Sequence, residues 1–453
     1  MTINGEHSPI TLAGLRVLVV DNDAELRQQT VALLEKWGCQ AFAPTDTGQA
    51  LFDAAITTAA AHCCQLAVVD MRLLDDTSTQ DISGLELVPE LRPAFTIINS
   101  AFGHVRHAAD AFHEYGAADF VAKEDGPEVL ERALKRVVAK HAIARYTSDA
   151  RRTDIEWSDG GQSLTSLRQS LMEDKRYVPE DEANDLIGRL FVDAQRVVLV
   201  PIVDEQLPSD APLASTTSPN LRRETRIFLT QVDHQPVRLV LKLGKHQKIE
   251  REVENYRRYV EHGLGGLFRP EMRGHKYLWN MGGVIYGLVG NADVSNSDGP
   301  HSFSQFYRTE HDPSIILQPL QHFFHRQHWG RWYQTGVQPL DGSIFQAYDA
   351  MLHGKLSLSM QKWHALDRDA YFPALRQALT NPLRWLSDHH HTANLVANPR
   401  KAITHGDLHG DNLFVTPLHA WPIDFERTGE GPILRDFVEL IQDILTRIAQ
   451  FEL

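Results

Sequence analysis

The 453-residue sequence predicts two architectures in series: an α/β domain on a doubly wound parallel sheet, then an α+β domain whose strands precede its helices. Three observations predict this. In the first third, four unbroken apolar runs each end at a polar or charged residue, which is how strands covered on both faces read. Strand-forming runs of antiparallel type dominate from Arg196 to Val289. Helical periodicity with many aromatics dominates from Ser302 to about Asn394, before a short acidic stretch around Asp407.

The totals exclude several classes. A formal net charge of −14 argues against a duplex-binding surface, and no recognition-helix module follows the first domain, so no direct DNA binding is expected. No apolar run approaches the length of a membrane span, and the polar start Met1-Thr2-Ile3-Asn4-Gly5-Glu6 has no signal-peptide layout. A cytoplasmic location with no membrane partner is the expectation. Cys39, Cys63 and Cys64 offer neither a disulfide framework nor zinc spacing, and read as small buried apolar residues.

In chain order, Arg16-Val17-Leu18-Val19-Val20 ends at Asp21-Asn22-Asp23, and a helix from Ala24 to Trp37 is stopped by Gly38. Leu66-Ala67-Val68-Val69 ends at Asp70, Thr96-Ile97-Ile98-Asn99 at Ser100, and Asp119-Phe120-Val121-Ala122 at Lys123. The crevice of such a sheet lies beyond the carboxyl ends of its strands, where Asp21, Asp70, Ser100 and Lys123 all fall. This set resembles the receiver domain of two-component response regulators, a flavodoxin-like fold on a five-stranded parallel sheet, here assigned to residues 1–145. The resemblance implies Asp70 as phosphoacceptor, with Asp21, Asn22 and Asp70 holding Mg2+. It implies that Ser100 and Lys123 bind the new phosphate and that Phe120 follows the switch. A cognate histidine kinase or acetyl phosphate would be the phosphodonor, and the receiver would support a homodimer. Three departures stand out: Asn22 removes a charge from the metal site, Glu124 replaces the usual proline, and the loop from Arg72 to Ser83 is long.

Residues 146–190 read as a connector. A polar segment from Thr147 to Gln162 precedes a helix with Leu164, Leu167 and Leu171 at helical spacing. A second helix after Pro179 has an acidic first turn (Glu180, Asp181, Glu182) and buries Leu186, Leu190 and Phe191. Docking on the next domain's core is the expected role, ahead of a lever between domains.

Strands follow at Arg196–Val203, Arg226–Val232 and Arg238–Leu243, then at Glu271–Trp279 and Gly283–Val289. Lys242 lies inside an apolar strand, where an unpaired ammonium would be costly. The helix around Ile249, Val253 and Tyr256 carries Glu252 and Glu254 as candidate partners.

The most informative stretch is Ile403-Thr404-His405-Gly406-Asp407-Leu408-His409-Gly410-Asp411-Asn412-Leu413, followed by Ile423-Asp424-Phe425-Glu426. Asp407 and Asn412 are five positions apart, and Asp424 lies twelve further on. Phosphoryl transfer from a nucleotide needs one carboxylate toward the acceptor hydroxyl, and an amide oxygen plus a second carboxylate on the bridging cation. These residues resemble the aminoglycoside phosphotransferase and choline kinase branch of the kinase-like fold. Within that branch they are most similar to the bacterial ternary complex-associated domain 9 family. The resemblance implies an α+β bilobal protein-kinase-like fold, with an N-lobe at 191–292 and a helical C-lobe at 293–453. It implies ATP or GTP with Mg2+, Asp407 as the base or orienting residue, and His405 as a brace of the loop. Asn412 and Asp424 become metal ligands, Lys242 binds the phosphates paired with Glu252, Val289–Ala292 forms the hinge, and Asp436 supports the catalytic loop.

Two features depart from that family. No glycine occurs from Phe191 to Leu243, so the turn over the phosphates falls to Ser209–Asn220. The chain stops at Leu453, where the family usually continues, implying a short lobe or a trimmed chain. His322, His325 and His328, and the run His389-His390-His391, read as aromatic core and solvated helix end rather than a metal site. The combined expectation is a response regulator whose output is a phosphotransferase acting on an unknown acceptor substrate or partner protein. A nucleotide-binding pseudokinase acting as an interaction module is the alternative.

Overall fold

The computed structural model describes residues 10–75, 78, 80–101, 109–140, 153–172, 177–202, 225–233, 239–263, 269–287, 301–334, 336–351, 370–372, 377–379, 399–416 and 419–449. The expected hinge at 289–292, the turn at 209–220 and the His389–His391 run lie outside these residues. The chain forms two compact units. One holds Met1–Glu250 and Met272–Leu288; the other holds Arg251–Glu271 and Val289–Leu453.

The first unit contains two sheets. Strands β1 (Arg16–Val20), β2 (Gln40–Phe42), β3 (Leu66–Val69), β4 (Phe95–Ser100) and β5 (Asp119–Ala122) form an all-parallel sheet in the order β2-β1-β3-β4-β5. Because side chains alternate along a strand, each apolar run feeds two cores. Val17, Val19, Leu66, Val68, Ile97 and Val121 pack with Leu34 and with the helix Pro127–Lys140. Leu18, Val20, Ala67, Val69 and Ile98 pack with the helices Gln49–Ala61 and Ser83–Glu90 on the opposite face.

The second sheet of this unit has the order β10-β11-β9-β8-β7-β6. Its strands are β6 (Asp154–Trp157), β7 (Arg196–Pro201), β8 (Thr225–Val232), β9 (Leu239–Lys245), β10 (Glu271–Tyr277) and β11 (Met281–Gly287). Strand β6 arises in the segment read from sequence as polar connector. It pairs in parallel with β7, Asp154 opposite Arg196, and its half-buried Ile155 and Trp157 pack against the sheet core. A four-residue edge strand with two apolar residues leaves too weak a pattern to stand out in sequence. Leu167, Leu171, Leu186 and Phe191 of the connector helices Gln162–Met172 and Glu182–Leu190 lie in that core, beside Phe228, Leu241, Leu243 and Ile285.

The second unit holds β12 (His301–Ser302), β13 (Gln338–Pro339), the pair β14 (Ala370–Phe372) and β15 (Gln377–Leu379), β16 (Arg400–Thr404), β17 (Leu413–Val415), β18 (Ala420–Pro422) and β19 (Gly429–Pro432). The β14–β15 pair occurs inside a segment whose sequence pattern reads as helical. Small sheets β12-β17-β18 and β13-β16-β19 flank the stretch from His405 to Asn412. Helices Phe303–Thr309, Pro313–Phe323, Ile344–Met351 and Arg435–Asp443 are among the described elements of this unit. No described helix is long and apolar enough to cross a membrane.

Candidate functional site

Two clusters of chemistry-bearing residues emerge, one in each unit. In the parallel sheet, Asp21 follows β1, Asp70 follows β3, Ser100 ends β4 and Lys123 follows β5. Parallel pairing aligns these carboxyl ends, so residues far apart in sequence share one crevice. Lys123 Nζ lies 2.8 Å from Asp21 Oδ2 and 3.2 Å from Asp70 Oδ2. Burial is the largest influence on Asp70 and, with the neighbouring Asp21 charge, pushes its carboxyl up to about 6 although Lys123 pulls the other way. Burial also works against the Lys123 ammonium, but Asp70 and Asp21 outweigh it and hold the lysine above its ordinary value. Ser100 is fully buried, and Phe120 is half-buried against the core on the Asp70 side.

Asn22 Oδ1 is a buried acceptor with no hydrogen-bond partner, whereas Asp23 turns away to cap the helix Ala24–Lys36 through the amides of Glu25 and Leu26. Two carboxylates and an unsatisfied amide oxygen form a hard donor set of the kind Mg2+ takes, so Asp21, Asp70 and Asn22 fit that ion. The long loop after Asp70 is organised by Asp81, whose carboxylate accepts the amides of Leu74, Asp75 and Ser83. Gly84 closes it: a Cβ there would lie 1.8 Å from the Asp70 carbonyl oxygen. Neither role is legible from sequence, although a glycine just past an acidic loop is the available signal.

In the second unit, β16 delivers His405 and Gly406 into a loop that ends in a helical turn at Gly410–Asn412 and enters β17. Asn412 Nδ2 donates to the Asp407 carbonyl at 2.9 Å, and the Ile423 amide donates to the Asn412 carbonyl at 2.9 Å. Asp407, Asn412 and the chain entering Asp424 are thereby brought into one cluster. Asp424 takes a left-handed conformation at φ 69°, which aspartate tolerates at a cost of about 1 kcal/mol. With its Nδ2 committed, Asn412 retains an amide oxygen, and that oxygen with the Asp424 carboxylate again suits Mg2+.

The loop is held by a row of acids on one helix. Asp436 Oδ2 accepts the His405 amide at 2.7 Å and Oδ1 the Gly406 amide at 2.8 Å. Glu439 accepts the Leu408 amide at 3.1 Å, and Asp443 accepts the Gly410 amide at 2.7 Å. Tyr333 donates its hydroxyl to Asp436 Oδ2 at 2.7 Å, and the Arg435 guanidinium donates to the Gly406 carbonyl. Residues at i, i+3 and i+7 share one helix face, which is the sequence signal that marks Glu439 and Asp443 as further supports. Burial raises the Asp443 carboxyl, but the Arg447 guanidinium and the Gly410 amide outweigh it and hold it below its ordinary value.

His405 is fully buried, and burial holds its imidazole below the ordinary value against the pull of Asp436, Asp424 and Asp407. Nε2 lies 2.9 Å from the Ile423 carbonyl, so a neutral ring protonated at Nε2 links the loop His405–Asn412 to the residue before Asp424. Arg427, absent from the sequence-based candidates, pairs its exposed guanidinium with Asp407 Oδ1 at 3.0 Å. The turn after Asp424 is also bonded by Asn255 Nδ2, which donates to the carbonyls of Phe425 and Glu426 at 3.2 and 2.8 Å.

Lys242 lies mid-strand in β9 opposite Val284 and Ile227, and is 2% exposed. Glu252 is fully buried on the helix His246–Asn255. His322, His328 and His419 pack with ring centroids 4.1 and 4.6 Å from His322. Burial and the neighbouring imidazoles push His322 down to about 4. Among the described residues no set of three or more His, Cys, Asp or Glu is arranged to hold a metal.

Residues 341–452 match the model of the phosphotransferase enzyme family APH. No curated protein matches the chain. Among solved structures, the Vibrio cholerae chemotaxis protein CheY4 is 19% identical, with 28% of this chain and 99% of that chain covered and a TM-score of 0.23. A CheY-like response regulator receiver domain protein from Methanospirillum hungatei JF-1 is 20% identical, covering 29% of this chain and all of its own, at TM-score 0.24. NtrX from Brucella abortus, solved in complex with ATP, is 25% identical over 35% of this chain and 34% of its own, at TM-score 0.23. Residues 341–452 are thus similar to a phosphotransferase family over about a quarter of the chain.

Proposed function

We propose that the chain is a two-component response regulator whose output is a kinase-like phosphotransferase. It would move the terminal phosphate of ATP or GTP to a hydroxyl acceptor under control of phosphorylation at Asp70. The observation that carries the reading is the loop from His405 to Asn412, whose amides are clamped by Asp436, Glu439 and Asp443 within the region that matches the phosphotransferase family. Such clamping pre-organises a catalytic loop, which is what transfer through a loose transition state asks of the protein.

In this reading Asp407 orients the acceptor hydroxyl or takes its proton, and His405 braces the loop. Asn412 and Asp424 hold Mg2+, which supplies charge neutralisation on the phosphates. Lys242, paired with Glu252, serves the nucleotide. In the receiver, Asp70 accepts phosphate from a cognate histidine kinase or acetyl phosphate, and Ser100 and Lys123 bind it. Acetyl phosphate with Mg2+ should add one phosphoryl group by intact mass, and Asp70→Asn should add none. Thermal shifts with ATP, GTP and Mg2+, followed by turnover assays against Asp407→Ala, test the output.

A second reading, a nucleotide-binding pseudokinase regulated through its receiver, is favoured by one observation: Arg427 already engages Asp407. Tight nucleotide binding without turnover across sugars, amino alcohols and protein hydroxyls would select it.

A further inference from the structure

The turn between β10 and β11 is built into the receiver. Trp279 Nε1 donates to the Cys64 carbonyl at 2.7 Å, and its ring packs against the receiver core that holds Val69 and Met71. Asn280 is buried beside it. Its amide donates to Glu182 Oε1 at 2.8 Å, and Nδ2 lies 2.9 Å from both Glu182 Oε2 and the Tyr177 carbonyl and 3.3 Å from Cys63 Sγ. Cys63 adopts φ 49°, a left-handed conformation rare for a residue with a side chain. A second contact reinforces the junction, since Arg189, bidentate with Asp185, lies over the Phe95 ring at 5.0 Å.

The same turn also starts a helix. The Asn280 carbonyl accepts the His246 amide at 2.9 Å, His246 Nδ1 lies 2.6 Å from the Leu278 carbonyl, and the His246 ring stacks on Tyr277 at 5.0 Å. Helix His246–Asn255 then packs so closely on β11 that a Cβ on Gly282 would lie 2.8 Å from Ile249 Cβ. This helix carries Glu252, and at its other end Asn255 bonds the turn that follows Asp424. Cys63 and Cys64 lead directly into β3, the strand that ends at Asp70.

We propose that Trp279 and Asn280 form a latch by which the receiver sets the position of the helix His246–Asn255, so that the state of Asp70 reaches the phosphotransferase machinery through the start of that helix. This deepens the regulatory reading above and rests on it for the role of Asp70. A helix whose first amide is bonded to a turn docked on another domain inherits the stability of that docking, because terminal amides have no partner within the helix. Asn280 is in this sense a positioning residue that acts through His246.

Amide hydrogen exchange on the full chain tests the latch. Asn280→Ala, and separately Trp279→Phe, which keeps an aromatic side chain but removes the donor to Cys64, should speed exchange over His246–Glu250 by at least about tenfold while β3 stays protected. Beryllofluoride with Mg2+ should change protection of the same helix in the wild type and not in Asn280→Ala. Unaltered helix exchange in both variants would overturn the proposal, as would a beryllofluoride response of equal size with and without Asn280. If beryllofluoride leaves the wild-type strand β5 and Lys123 unchanged, the receiver reading itself fails, and the two variants alone decide whether the latch holds the helix.

Discussion

Asp436 accepts the amide of Gly406 at 2.8 Å while its other oxygen takes the amide of His405. One buried carboxylate therefore satisfies two consecutive N–H groups where the chain turns through Gly406 at φ 84°. Replacing Asp436 with Ala leaves both amides and the Tyr333 hydroxyl buried without that acceptor, at about 1–3 kcal/mol for each group left unsatisfied. Chemical unfolding should show a loss of several kcal/mol for Asp436→Ala and about 1 kcal/mol for Tyr333→Phe. Turnover should fall in both, in the same order.

Gly406 admits no side chain. A Cβ there would lie 2.2 Å from the Arg427 carbonyl oxygen, and the positive φ adds strain for any L-residue. Gly406→Ala should separate the loop from the turn after Asp424. The expected result is destabilisation of at least about 2 kcal/mol, larger than an ordinary surface substitution gives, together with lost nucleotide-dependent thermal shift.

The crevice of the five-stranded parallel sheet should show a distinctive pH response. Asp70 has a folded value pushed up to about 6 from an ordinary 3.8, chiefly by burial. A carboxyl raised on folding stabilises while protonated, and that stabilisation is lost as pH rises from about 4 through about 6. The stability of wild type relative to Asp70→Asn should therefore fall across this window by about 3 kcal/mol at most, measured by urea unfolding at fixed ionic strength. Mg2+ should shrink the difference by binding the ionised site.

Arg427 pairs with Asp407 from an exposed position, so the pair adds little to stability. Arg427→Ala should move the unfolding free energy by less than about 1 kcal/mol, yet change turnover by about threefold or more, because it removes a partner that orients Asp407. Equal rates in the variant and the wild type would show the pair to be a surface contact without catalytic consequence.

Several of these residues are visible in the sequence and several are not. Asp21, Asp70, Ser100 and Lys123 stand out because apolar strands end at them, and a parallel sheet gathers strand ends. Asp407, Asn412 and Asp424 stand out through spacing within one short stretch. Lys242 is conspicuous as a charge inside an apolar run. Glu182, Asn280 and Arg427 are not conspicuous, since each is an ordinary polar residue in an ordinary polar context. Their importance comes from partners that lie far away in the chain, such as Asn280 with Glu182 and Cys63.

The chain's own order of residues determined what is local: the periodicity of each strand and helix, and the acids and lysine at the strand ends. It also determined the five-residue step from Asp407 to Asn412. Only the tertiary structure decided that β6 joins β7 in parallel and that one helix face clamps four amides of the loop from His405 to Gly410. It alone also decided that the turn at Trp279 is shared between the parallel-sheet domain and the neighbouring sheet. Periodicity says which face of an element is buried, but not what covers it. Hydrogen bonds between distant segments depend on how the chain crosses, and that is settled only when the cores close.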